Sequence, residues 1–197
     1  GAMMILAPNP WMPDFSSAQT PAVLSETTKE SPESIDTLDF FVGNHLNKGL
    51  EGSHNQNQTV VGNTSYYTKW AADAYEVHTW DDTYIYLNED RSWKKHESYA
   101  FSPGKWLKRQ MTVGESITEN NNMGYYVNSG DCTPLRIHAL PYVMTLESHF
   151  PEYNVGGDLG KQDVIVVRYD YSNEAYPGNF ERFYYSKEWG WVKWELY

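Results

Sequence analysis

The side chains best suited to hold a transition metal are six histidines and one cysteine, and their spacing argues against that use. His45, His54, His78, His96, His138 and His149 are scattered, no two of them four residues apart on a helix, and Cys132 has no partner motif. Oxygen ligands for calcium can be gathered from loops, and Asp81, Asp82 and Asp158 are placed for that; solvated turn carboxylates explain them equally well. No metal site and no cofactor is therefore expected. Nucleophilic catalysis has no better footing. Gly114-Glu115-Ser116 lacks the second glycine of a nucleophile elbow, and Cys132 sits in the loop-like Ser129–Pro134 with no motif bringing a histidine beside it. Paired carboxylates are the closest approach to an active site. Glycoside hydrolysis needs two carboxyls about 5–10 Å apart, and neighbouring strands carrying Glu76 and Glu89 offer that spacing, with Asp90 and Glu97 nearby. Solvent-facing charge on strand ends explains them more simply, so no catalytic residue is assigned.

The aromatic residues carry more information. The chain holds 16 Tyr, 8 Trp and 7 Phe, many of them rings with a polar tip that suits half-wet surfaces. In Thr83–Asn88, Tyr84 and Tyr86 share one face and Ile85 and Leu87 the other, so the aliphatic pair is expected in the core and the tyrosines outside. In the final hairpin the same alternation sends Val192, Trp194 and Leu196 inward and Trp191, Lys193, Glu195 and Tyr197 outward. Sugars present C–H patches flanked by hydroxyls, and rings beside amides and charges match them. Trp80, Tyr84, Tyr86, Asn88 and Trp191 are the candidate ligand-binding residues.

The elements that would position these residues are strands. From Thr59 onward the period is two: Ser65–Trp70, Tyr75–Trp80 and Thr83–Glu89 alternate, with Asp81-Asp82 as a tight turn. Glu97–Ser102 and Lys105–Val113 flank Pro103-Gly104, which reads as a hairpin turn. Tyr142–Phe150, a Gly156-Gly157 break and the apolar run Val164–Val167 follow. Phe180–Ser186 and Trp191–Tyr197 close on Lys187–Gly190, a four-residue hairpin link. One short helix precedes them, capped by Ser34, with Ile35, Leu38, Phe41 and Val42 on one face and Gly43 at its end. Residues 44–63, rich in Asn, Gly, Gln and His, read as loop. The fold class is all-β, an antiparallel meander forming a barrel or a sandwich with one short N-terminal helix.

Residues 1–34 read as a cloning remnant, Gly1-Ala2-Met3, followed by a Pro/Ser/Thr-rich tail or linker, and residues 35–197 as a single antiparallel β domain. No stretch has the ~20 apolar residues of a spanning helix, so membrane insertion is not expected. The formal net charge of −11 repels a phosphate backbone and sets nucleic acid aside as a partner. No charged segment followed by an apolar one opens the chain, so either a leader has been removed or the protein is intracellular; the expectation is a secreted or cell-surface location. These features point to a noncatalytic carbohydrate-binding domain of an extracellular protein, with a polysaccharide or glycan as partner and other modules of a larger chain as neighbours. The alternatives are a β-barrel around a small hydrophobic ligand and a polysaccharide-active enzyme using the paired carboxylates.

Overall fold

The computed structural model describes residues 32–43, 57–68, 75–90, 97–120, 123–128, 134–139, 141–171 and 177–197. Ile35–Asp36 (β1) leads into the short helix Thr37–Val42 (α1). Asn57–Val61 (β2), Thr64–Thr68 (β3), Tyr75–Trp80 (β4), Tyr84–Asp90 (β5) and Glu97–Lys108 (β6) then run as an antiparallel meander. Gln110–Met111 (β7) and Ser116–Glu119 (β8) leave it, and Met123–Asn128 (β9) and Pro134–Ala139 (β10) return to the open side of β6. Tyr142–Gly156 (β11), Gly160–Asp170 (β12), Phe180–Ser186 (β13) and Gly190–Leu196 (β14) form a second meander, joined on its far side by β8. Among the described residues this makes a seven-stranded sheet ordered β10-β9-β6-β5-β4-β3-β2, a five-stranded sheet ordered β14-β13-β12-β11-β8, and the small pair β1-β7.

Alternation puts the core between the two large sheets. Ile85, Leu87 and Leu107 face inward from one, Met144, Leu146, Ile165 and Val167 from the other. Trp106 bridges them, its ring 5.3 Å from Phe183 and its indole N–H donating to the Tyr185 hydroxyl at 3.3 Å. The run Val164–Val167 is apolar throughout because β12 is covered on both sides. Ile165 and Val167 enter the main core, while Val164 and Val166 join Tyr184 in a second cluster on the opposite face, as expected of a strand buried on both faces. No sheet closes on itself among the described residues, so the architecture is sandwich-like and the barrel alternative is not found.

Three local readings change. The helix is capped by Asp36, whose carboxylate accepts from the Leu38 N–H at 3.1 Å, because Ile35 is already paired with Met111 as a strand; Ser34 instead donates to Gln110. The stretch read as loop contains β2. Pro103-Gly104 is no hairpin turn but lies within β6, where Leu87 pairs with Gly104 and Glu89 with Ala100. That shift leaves two extra residues on β6, and such an irregularity is where a strand tolerates a proline.

The end of α1 fixes both sheets. Gly43 stops the helix in a left-handed conformation, φ 69°, which glycine adopts without strain. The Phe41 carbonyl, left over at the helix end, accepts from Tyr67 Oη at 3.0 Å and Gln58 Nε2 at 3.3 Å. The Tyr67 hydroxyl in turn accepts from the Trp191 backbone N–H at 3.2 Å. A Cβ on Gly43 would stand 2.5 Å from the Gly190 nitrogen, and one on Gly190 would stand 2.9 Å from the Tyr67 hydroxyl. Removing that hydroxyl by Tyr67→Phe takes the partner from the buried Trp191 amide and leaves the Phe41 carbonyl with Gln58 alone, a cost of about 1–3 kcal/mol. Urea unfolding should show this as a lower midpoint with unchanged slope.

The outer side of the five-stranded sheet is held by charge. Arg182 forks onto Glu147 at 2.5 and 2.9 Å, and Arg168 lies 3.8 Å over the Phe180 ring. The Arg182 hydrogen bond holds the Glu147 carboxyl below its usual range. Hydrogen bonds from Tyr184 and Tyr197, with Lys193 beside them, hold Glu195 down to about 2. A carboxyl with a depressed folded pKa stabilises the fold above its unfolded value, and that stability is lost as pH falls through the folded value. Thermal stability should therefore fall on acidification from the ordinary value of 4.5 towards about 2, and Glu195→Gln should flatten the fall. Melting curves across this range check it.

Candidate functional site

The solvent face of the seven-stranded sheet brings three of the candidate residues together. Tyr84, Tyr86 and Asn88 alternate along β5 with the buried Ile85 and Leu87, so all three point away from the core. The Tyr84 and Tyr86 rings lie 6.0 Å apart at 56°. Tyr86 donates its hydroxyl to Asp81 at 2.9 Å, and the same carboxylate accepts from the Tyr84 and Thr83 backbone N–H groups at 2.8 and 2.7 Å. Those backbone bonds, with the Tyr86 bond after them, hold the Asp81 carboxyl below its usual range. Asp81 is thus a turn residue that pins the Tyr86 ring. Asn88 donates its amide to Thr79 at 2.8 Å, and Lys105, across from Tyr86 on β6, places its ammonium 4.7 Å over the Tyr84 ring. Two tilted rings, an amide, a hydroxyl and a cation share one half-buried outer surface.

The face continues over β4 and β3. Tyr66, 45% exposed, stands across from Val77, and Val77 across from Glu89; Tyr75 donates to Glu89 at 3.0 Å. Thr79 was not legible as an outward residue, because Tyr75–Trp80 carries apolar bulk on both faces, and Lys105 was hidden for a different reason. A register shift beside it in β6 breaks the count from which a face is inferred.

The two tryptophans are elsewhere. Trp80 is the cross-strand partner of the buried Ile85 and packs against the main core. Trp191 is 4% exposed, with its ring 5.3 Å from Phe183 and 5.7 Å from Tyr67. The cause is a β-bulge: Tyr185 pairs with Trp191 and Tyr184 with Lys193, leaving Val192 as an extra residue. The bulge turns Trp191 inward alongside Trp194, which packs on the core as expected, and moves Val192 to the opposite face in the second cluster. Leu196, expected inside, is exposed. Trp191→Ala should accordingly destabilise the protein by about 3–5 kcal/mol, instead of leaving its stability unchanged as a surface ring would; denaturant unfolding measures the difference.

The carboxylate pair is not assembled. Glu76 is buried on the inner face, 3.7 Å from His78, whereas Glu89 lies on the outer face with Tyr75, so the sheet separates them. Among the described residues no three His, Cys, Asp or Glu side chains gather as metal ligands. His149 and Asp163 form a close pair at 2.7 Å, but Phe40 packs edge-on to the imidazole, tying β11 and β12 to α1. Cys132, His45, His54 and His96 and the side chain of His138 lie outside the described residues.

Fold and face together define a sandwich-like antiparallel β protein with an aromatic, hydroxyl-bearing outer sheet surface. No protein-family model, curated protein or solved structure matches the chain.

Proposed function

We propose that the chain is a noncatalytic carbohydrate-binding domain of a secreted or cell-surface protein, holding a glycan on the outer face of the seven-stranded sheet. The observation that carries this reading is the grouping of Tyr84, Tyr86 and Asn88 on one half-buried outer surface, bordered by Thr79 and Lys105. Rings cover the C–H patch of a sugar while amide and hydroxyl groups take its hydroxyls. The Tyr86 ring is already oriented by Asp81, which lowers the ordering cost of binding. The space between the sheets supports the reading by contrast. It is taken by Phe41, Trp106, Phe183, Tyr185 and Trp191, so a small apolar ligand finds its natural place filled. The placement of Glu76 and Glu89 on opposite faces of the sheet supports binding without hydrolysis by that pair.

A glycan array followed by calorimetry on the polysaccharides it selects tests the proposal. The Tyr84→Ala/Tyr86→Ala double variant should weaken binding by about tenfold or more, the loss of one or two ring contacts, with its circular dichroism unchanged. Absence of binding to every polysaccharide at millimolar concentration overturns the reading.

A further inference from the structure

Among the described residues, four strands stand at the ends of the two large sheets: β2 and β10 in one, β8 and β14 in the other. An end strand offers backbone N–H and C=O groups as a template for another strand, and proteins guard such edges with charge, proline or bulges. Three of the four are guarded. β8 ends in Glu119, β10 opens with Pro134 and carries Arg136, and β14 carries Lys193, Glu195 and the bulge at Val192. The fourth, Asn57-Gln58-Thr59-Val60-Val61, has no charge, no proline and an unbroken register with β3. Its outward residues Thr59 and Val61 are exposed, Val61 at 65%. The surface behind it is also uncharged through two further strands, with Thr64, Tyr66, Val77 and Thr79 on the same side. In a chain of net charge −11, this is the one of the four described sheet ends where two copies meet with least repulsion.

We infer that β2 is a self-association edge, at which two copies pair strand to strand across a two-fold axis through Thr59. Antiparallel pairing in that register sets Thr59 against Thr59, Gln58 against Val60 and Asn57 against Val61. The inward Gln58 and Val60 stay on the core side, and no charge opposes another. Because the axis stands perpendicular to the sheet, the seven-stranded sheets of the two copies become one, and their aromatic faces lie on the same side. A closed, isologous dimer results.

Sedimentation equilibrium from about 10 µM to about 1 mM, the range for a contact of modest area, should show the mass rising from 22.8 kDa towards twice that value. Thr59→Lys should weaken the association at least tenfold, its melting temperature serving as the folding control. In a Cys132→Ser background, Thr59→Cys should oxidise to a disulfide-linked dimer, whereas Val113→Cys, exposed elsewhere, should not. A mass that stays at 22.8 kDa throughout, a dimer indifferent to Thr59→Lys, or equal cross-linking at Val113 each overturns the inference.

Discussion

The carbonyl of Phe41 emerges from the end of a six-residue helix, and the rest of the molecule is arranged around meeting its hydrogen-bonding need. Tyr67 and Gln58 reach it from the seven-stranded sheet, and the Tyr67 hydroxyl takes the Trp191 amide from the five-stranded one. One buried acceptor therefore sets the spacing of three elements. Its low-dielectric surroundings strengthen each bond and make each omission costly. Burial also pushes the Tyr67 hydroxyl well above the ordinary tyrosine range, so it stays protonated and keeps donating. The two glycines at this point, Gly43 and Gly190, belong to the same constraint, since each occupies space that a side chain would take from the other or from Tyr67.

That constraint decides which aromatic side chains are left for the surface. The interior consumes Phe41, Tyr67, Trp106, Phe183, Tyr185 and Trp191 in a continuous set of edge and tilted contacts. The surface of the seven-stranded sheet keeps tyrosines, threonines and an asparagine. These are side chains whose polar atoms tolerate water without a protein partner, and they give this face its mixed character.

Much of this was legible in the sequence, and the places where it was not have definite physical causes. Tyr84 to Leu87 alternates cleanly, and the faces read from it are the faces found. β14 alternates just as cleanly on paper, but the extra residue at Val192 reverses the phase for Trp191. A bulge changes no residue type, so composition and period cannot announce it. β2 escaped notice for a different reason. Its inward residues are Gln58, a polar side chain satisfied in the interior by Phe41 and Ser65, and Val60, so a single apolar residue is all that marks the inner side. Pro103 misled in the opposite direction, since a proline that normally ends a strand lies within an irregular stretch of a long one.

The seating of α1 has a bearing on how the chain acquires its fold. Phe41 is needed near the beginning of the domain, yet the amide that completes its partner's hydrogen bonds belongs to Trp191, 124 residues beyond Tyr67. β1 likewise waits for β7, with Ile35 paired to Met111. During synthesis the helix emerges well before the strands that hold it, and the hairpin that finishes the core emerges last. Closure between such distant segments is intrinsically slow. Until it occurs, the nascent chain carries Phe40 and Phe41 without their covering strands, and transiently exposed apolar surface of this kind favours association between unfinished chains.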